Sequence, residues 1–258
     1  MSVRLGGYGM LGVPGDSLGT RNRQAIEIWC CDPRRCVLTT SDRDVLSAQE
    51  RDAMTSFRSQ DAHRQYLVSR VMLRRVLSRY EPRVTPAAWR FEKDGCGKPR
   101  VLNATPAPLY FNISHISACV VIAVSRGGEV GVDIETCAKL PDPQALIALC
   151  FSDAEKRHHT GLASAERCQA FIRRWTLKEA WLKALGKGLS VPPASIECTW
   201  QAGRWQIDDH HHRLTSRRDW SIEQRALTKD VQLAVVAAYP GASMDLIPWL
   251  PSCNGDER

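Results

Sequence analysis

Three carboxylates and an ammonium at fixed spacings are the chemically suggestive groups of this 258-residue chain. Asp133 and Glu135 lie two residues apart in Glu129-Val-Gly-Val-Asp-Ile-Glu135, shortly after the very apolar run from Ala118 to Val124. In a strand that spacing puts both acids and Gly131 on one face, the carboxylates roughly 6.5–7 Å apart, with Val132 and Ile134 on the other. Ionised carboxylates at that distance repel unless a cation or basic group sits between them. A hard divalent ion such as Mg²⁺, which takes one or two carboxylates with waters and phosphate oxygens, meets that need. An exposed strand face that carries two acids by chance would read the same way. Gly131 suggests that something large approaches the backbone beside Asp133.

Glu179 and Lys183 are the second group. Between Phe171 and Leu185, projected at 100° per residue, Phe171, Ile172, Trp175, Leu177, Ala180, Trp181, Leu182, Ala184 and Leu185 spread almost the whole way round the wheel. A helix apolar on nearly every side is buried on nearly every side. Glu179 and Lys183 share one narrow sector, four residues apart, with Cβ atoms ~5–6 Å from each other. On a charged face such a pair would be a weak solvated ion pair. On this helix the two groups line a cleft, and Gly186 ends the helix just beyond them. The residues alone support metal-assisted phosphate chemistry and nothing narrower.

The elements that must position these groups form a plan stated twice. Ala25 to Cys30 reads as a strand, Ser47–Phe57 and Asp61–Tyr80 as helices, and Ala88–Glu92, Leu109–Ile113 and Ala118–Ser125 as strands. A second series follows: strand Val130–Glu135, helices Pro143–Cys150 and Ser164–Leu185, and strands Ile196–Gln201, Arg204–Asp208, Trp220–Arg225 and Val231–Tyr239. Pro86-Ala-Ala-Trp89 and Pro193-Ala-Ser-Ile196 hold equivalent places after the two long helices. The expected fold is α+β, a pseudo-twofold pair of similar lobes, each with a small, mainly antiparallel sheet packed against a long helix. The lobes span residues 25–128 and 129–240, between a flexible glycine-rich tail over 1–24 and a C-terminal tail over 241–258.

Composition is that of a soluble globular chain, 43% hydrophobic and 24% charged, with no apolar run long enough for a membrane span and no secretory signal. Ten cysteines are scattered without any Cys-x-x-Cys pair, which argues for reduced thiols in a cytoplasmic protein and against a disulfide framework or zinc site. Asp208-Asp209-His210-His211-His212 reads as a solvated hairpin loop. The net charge of +7 favours an acidic partner, and no recognition motif or aromatic-basic stripe points to nucleic acid.

Gly131-Val-Asp133-Ile-Glu135 and, about forty residues later, Trp175-Thr-x-Lys178-Glu179-Ala-x-x-Lys183-Ala-x-Gly186-x-Gly188-Leu189 closely resemble the paired motifs of Sfp-type 4′-phosphopantetheinyl transferases. Asp61-Ala-His-Arg64, Gly97-Lys98-Pro99 and Phe111-Asn-Ile-Ser114-His115 match weaker upstream motifs in the same order, so the resemblance runs from about Leu46 to Tyr239. It implies Mg²⁺-dependent transfer of phosphopantetheine from coenzyme A to a serine of an apo-acyl or peptidyl carrier protein, releasing 3′,5′-ADP, by a cytoplasmic monomer whose site lies between two similar halves. The resemblance also implies roles. Asp133, Glu135 and Glu179 surround Mg²⁺. Lys183 neutralises a phosphate oxygen, and Glu179 takes the serine proton. Arg64, Lys98, Ser114 and His115, with Lys183, hold coenzyme A. The chain departs from the pattern at Ile116, where a small hydroxyl residue is usual, and at Gln49-Glu50-Arg51, where some members carry lysines; both leave the grip on the ribose 3′-phosphate open. A carboxylate-metal phosphohydrolase acting on coenzyme A or a related pyrophosphate would use the same acids with water as nucleophile. A coenzyme A-binding adaptor for carrier proteins would not need an aligned base.

Overall fold

In the computed structural model, which describes residues 25–139, 143–209 and 220–251, the repeated plan is realised as two series of elements in one order. The first runs β1 (Ala25–Cys31), α1 (Thr40–Asp44), α2 (Ala48–Met54), α3 (Gln60–Tyr80), β2 (Phe91–Lys93), β3 (Pro99–Val101), β4 (Tyr110–Ile116) and β5 (Cys119–Ser125). The second runs β6 (Val130–Thr136), α4 (Pro143–Cys150), α5 (Asp153–Thr160), α6 (Ser164–Leu185), β7 (Ile196–Gln201), β8 (Arg204–Asp209), β9 (Ser221–Thr228) and β10 (Val231–Ala237). Each long helix leads through a 3₁₀ turn, Pro86–Ala88 or Pro193–Ser195, into a two-stranded hairpin, β2–β3 or β7–β8. The main sheets repeat the same strand order, β1-β5-β4 and β6-β10-β9.

Alternation along the strands explains the layering. Trp29, Cys31, Val120, Ile122 and Val124 face α3, where Leu67, Val68, Val71, Met72 and Val76 form the apolar side. Their strand neighbours Ile28, Cys30, Val121 and Ala123 face the opposite way and pack on Val132, Ile134, Leu233 and Val235 of the second sheet. That sheet offers Ala234 and Val236 to α6. The order is therefore α3, sheet, sheet, α6, with every residue of the central strands β5 and β10 buried. No helix among the described residues is long and apolar enough to cross a membrane.

Two expectations change. The C-terminal tail proposed for 241–258 contains β11 (Ser243–Pro248), which pairs parallel with β1 and completes the first sheet as β11-β1-β5-β4. Trp249 then donates its N–H to the Cys30 carbonyl at 2.8 Å and is buried in the α3 core. The open edge of β1 needed partners for its main chain, and Pro248, with no N–H, ends the pairing. Asp208 and Asp209 are strand rather than hairpin loop; Asp209 is buried and accepts from Trp181 Nε1 at 3.0 Å. The three histidines after it, the tail over residues 1–24 and the end of the chain from Ser252 lie outside the described residues.

Gly131 is explained by packing. A Cβ there would stand 2.0 Å from the carbonyl oxygen of Ala180 and 2.4 Å from the amide nitrogen of Ala184, so the large object approaching the backbone is α6 itself. Gly131→Ala must push the helix off the strand. Overpacking of this kind costs about 1–3 kcal/mol or more, at about 2–4 °C per kcal/mol for a chain of this size. A thermal melt should show a midpoint lowered by at least several degrees.

Candidate active site

The Gly131 contact brings the two chemical groups together. With α6 in close contact with β6, Lys183 Nζ donates to Asp133 Oδ1 at 2.6 Å and to Ser114 Oγ at 3.0 Å, while the Ser114 hydroxyl donates to the same carboxylate oxygen at 2.8 Å. Asp133 is only 3% exposed. The face that alternation assigns to Asp133 and Gly131 is covered by a helix, so the reading of an open, solvated strand face fails.

Ser114 reaches Asp133 because β4 and β6 are the facing edges of two different sheets. The N–H groups of Val132 and Ile134 have no ladder partner on that side and would be orphaned. Asn112 Oδ1 accepts from Val132 N at 3.1 Å and Ser114 Oγ from Ile134 N at 3.4 Å, so side chains of β4 splice the sheets where a backbone ladder is missing. Asn112 was legible only as a polar residue two before Ser114 on an otherwise apolar strand.

Electrostatics marks the place as short of positive charge. Burial, then the Asp133 carboxylate, push the Glu135 carboxyl up to about 7, against the opposing pull of a Trp175 Nε1–H hydrogen bond at 3.2 Å and of Lys183. Glu179 is raised too, by burial and by Asp133, with Lys183 opposing. Asp133 Oδ2 is buried without a hydrogen-bond partner. One ammonium thus serves three carboxylates, and an orphaned oxygen and two raised carboxyls fit a divalent cation among them. The acids do not form a ready-made cage: among the described residues no three His, Cys, Asp or Glu side chains stand in metal-holding geometry.

The other expected ligands for coenzyme A divide. His115 lies near the end of β4 with its surface largely exposed, and partial desolvation, then Lys183 and Arg70 of α3, lower its pKa. Arg70 was not singled out from the sequence, where it is one of several arginines on α3. Arg64 spends its guanidinium on main-chain carbonyls of Pro33 (2.8 Å), Arg34 (3.3 Å) and Cys36 (2.6 Å), fixing the loop after β1. Lys98 is buried among acceptors at the end of α6 and does not reach Asp133. In this structure both side chains are engaged with other groups of the protein. Lys178, inside the α6 motif, is wholly buried against Glu155 at 2.5 Å and holds α5 to α6.

Residues 129–236 match the family model described as the 4′-phosphopantetheinyl transferase superfamily, and residues 32–127 match that of the 4′-phosphopantetheinyl transferase N-terminal region. The chain is 31% identical over 205 residues to the 4′-phosphopantetheinyl transferase Sfp of Bacillus subtilis, covering 78% of this chain and 86% of that protein. A phosphopantetheinyl transferase of Thraustochytrium is 31% identical over 218 residues, 79% of this chain and 74% of its own. The solved holo-[acyl-carrier-protein] synthase of Thermotoga maritima overlaps 43% of this chain and 63% of its own, with 21% identity and a TM-score of 0.35.

Proposed function

The chain belongs to the 4′-phosphopantetheinyl transferase superfamily, and from that premise we propose that it moves the phosphopantetheine arm of coenzyme A onto a serine hydroxyl of an apo-acyl or peptidyl carrier protein, with Mg²⁺ held by Asp133, Glu135 and Glu179. The observation that carries this reading is the buried Asp133 carboxylate, joined to Lys183 and Ser114 through one oxygen and unpartnered at the other. Bound there, Mg²⁺ would supply charge neutralisation for the coenzyme A pyrophosphate.

The chain's own groups divide the remaining work. A serine hydroxyl attacks poorly until a base stands beside it, and Glu179, on the same helix face as Lys183, takes the proton. The new bond joins serine Oγ to the β-phosphorus of the pyrophosphate. The phosphoanhydride bond breaks, and its electron pair leaves on 3′,5′-ADP. Lys183, partly exposed and fixed by Asp133 and Ser114, meets the charge that builds on the transferring phosphoryl oxygens. Ser114, bonded to both Lys183 and Asp133, and His115, close enough to feel the Lys183 charge, would hold coenzyme A beside them. The nine described cysteines are all free thiols, which accords with a reducing, cytoplasmic setting, and the protein is proposed to act as a monomer.

The test is incubation of the protein with coenzyme A, Mg²⁺ and a panel of apo-carriers, followed by intact-mass analysis. One carrier should gain the phosphopantetheine mass, a chelator should abolish the gain, and Mg²⁺ or Mn²⁺ should restore it. Cleavage of coenzyme A without any carrier gaining mass would replace this reading with hydrolysis. Within it, Lys183→Met keeps the stem and removes only the ammonium. Transfer should fall about 10²-fold, more than any shift of the thermal midpoint explains; an unchanged rate would reduce Lys183 to a charge partner of Asp133.

A further inference from the structure

Lys98 touches both elements that carry the chemistry without touching the chemistry itself. Its side chain, 6% exposed, has three donors, and all three are used: Glu129 Oε2 at 2.6 Å, the Val130 carbonyl at 3.2 Å and the Ala184 carbonyl at 3.0 Å. Val130 opens β6, three residues before Asp133. Ala184 lies in the last turn of α6, next to Lys183, where carbonyls lack intrahelical partners and a cation is favourable. The helix ends at once in Gly186, left-handed at φ 64°, whose Cα side packs against Asp94 and Lys98.

The hairpin that delivers Lys98 is itself braced. Asp94 Oδ1 accepts the backbone N–H groups of Cys96 at 3.1 Å and Lys98 at 3.0 Å, which fixes the turn between β2 and β3. Arg100 Nη1 donates to the other oxygen of Glu129 at 2.5 Å, and its Nε to Asp94 at 3.3 Å. Glu129 is thus gripped at both oxygens by the first lobe while it sits one residue before β6 of the second. An ammonium with its three donors occupied in a buried setting has none left for a ligand, and withdrawing it would orphan one oxygen of Glu129 and a helix-end carbonyl.

We propose that Lys98, with Glu129 as its counter-ion, is a positioning residue that sets α6 against β6, and so Lys183 and Glu179 against Asp133, rather than a ligand of coenzyme A. The proposal rests on the transferase reading. Packing at Gly131 sets how close helix and strand come; Lys98 fixes their relative slide by holding one carbonyl of each. A slide of an ångström would leave the fold intact and spoil the alignment of base, ammonium and carboxylate.

The experiment measures transfer onto an apo-carrier and, by calorimetry, coenzyme A binding, for the wild type, Lys98→Met, Lys98→Arg and Glu129→Gln, all well below their melting midpoints. A positioning role predicts that Lys98→Met lowers kcat about tenfold or more while the KM and Kd for coenzyme A stay within about twofold. Glu129→Gln should move kcat the same way by less, and Lys98→Arg should recover part of the loss. Should Lys98→Met not fold, Glu129→Gln, which keeps size and one hydrogen bond, carries the test alone. A Kd for coenzyme A raised about tenfold, or a kcat unchanged in both Lys98→Met and Glu129→Gln, overturns the proposal. A wild type that modifies no carrier strikes the transferase reading instead, and the two failures are told apart by that control.

Discussion

Asp133→Asn is expected to slow transfer about 10²–10³-fold while the protein stays folded. The amide oxygen can still accept from Ser114, so the splice between β4 and β6 survives. What disappears is the negative charge that pairs with Lys183 and that pushes up the carboxyls of Glu135 and Glu179. For stability these changes oppose each other: the ion pair with a half-exposed lysine is lost, and repulsion among three acids is relieved. The net should be about 1 kcal/mol or less, a midpoint change of no more than about 2–4 °C. Asp133→Ala should melt lower than Asp133→Asn, because the Ser114 hydroxyl and the Lys183 ammonium both lose their acceptor in a buried place. Transfer rates over a range of Mg²⁺, set beside thermal melts, check both statements. Wild-type turnover in Asp133→Asn would remove the metal site from the account.

Glu179→Gln keeps size and hydrogen bonding but removes the charge and the capacity to take a proton. If Glu179 is chiefly the base, the variant should bind coenzyme A with Mg²⁺ normally and transfer slowly at every Mg²⁺ concentration. If it is chiefly a ligand, excess Mg²⁺ should recover most of the rate. The surroundings favour a shared role. Burial and Asp133 raise its pKa, which suits a base, yet the same Asp133 repulsion is what a cation between them would relieve. The expected result is a loss of about 10²-fold with partial recovery at high Mg²⁺. An undiminished rate at ordinary Mg²⁺ would take the chemistry off this helix.

Much of this was readable from residue types, and the failures share a cause. The apolar sweep of α6 correctly announced a buried helix, and the paired prolines after α3 and α6 correctly announced a repeat, because both depend on neighbours in sequence. α5, Asp153-Ala-Glu-Lys-Arg-His-His-Thr160, has no apolar stripe and was passed over, although Ser152 and Glu155 form a capping box that the spacing could have revealed. The burial of Asp133, the partner of Gly131 and the saturation of Lys98 depend on what another element lays over them. Periodicity reports which face a side chain is on; it does not report what covers that face. β11 failed for the same reason: Ser243-Met-Asp-Leu-Ile-Pro248 is a weak strand by itself and becomes one through the edge of β1.

β11 also has a consequence for how the molecule can be made. The first sheet holds the first described strand, residues 25–31, and the last, residues 243–248, as neighbours, with the whole second lobe between them in the chain. During synthesis β1 therefore waits, with one edge unpaired and the Trp249 site in its core unfilled, until the second lobe has emerged. An unpaired edge is a template for other strands, and long-range pairings of this kind close late. The lobes look alike but are not interchangeable as folding units. Residues 129–240 carry every strand of their own sheet, whereas residues 25–128 made alone would lack a strand and a core tryptophan. A gene split at the lobe junction should therefore yield a second half that stands by itself more readily than the first.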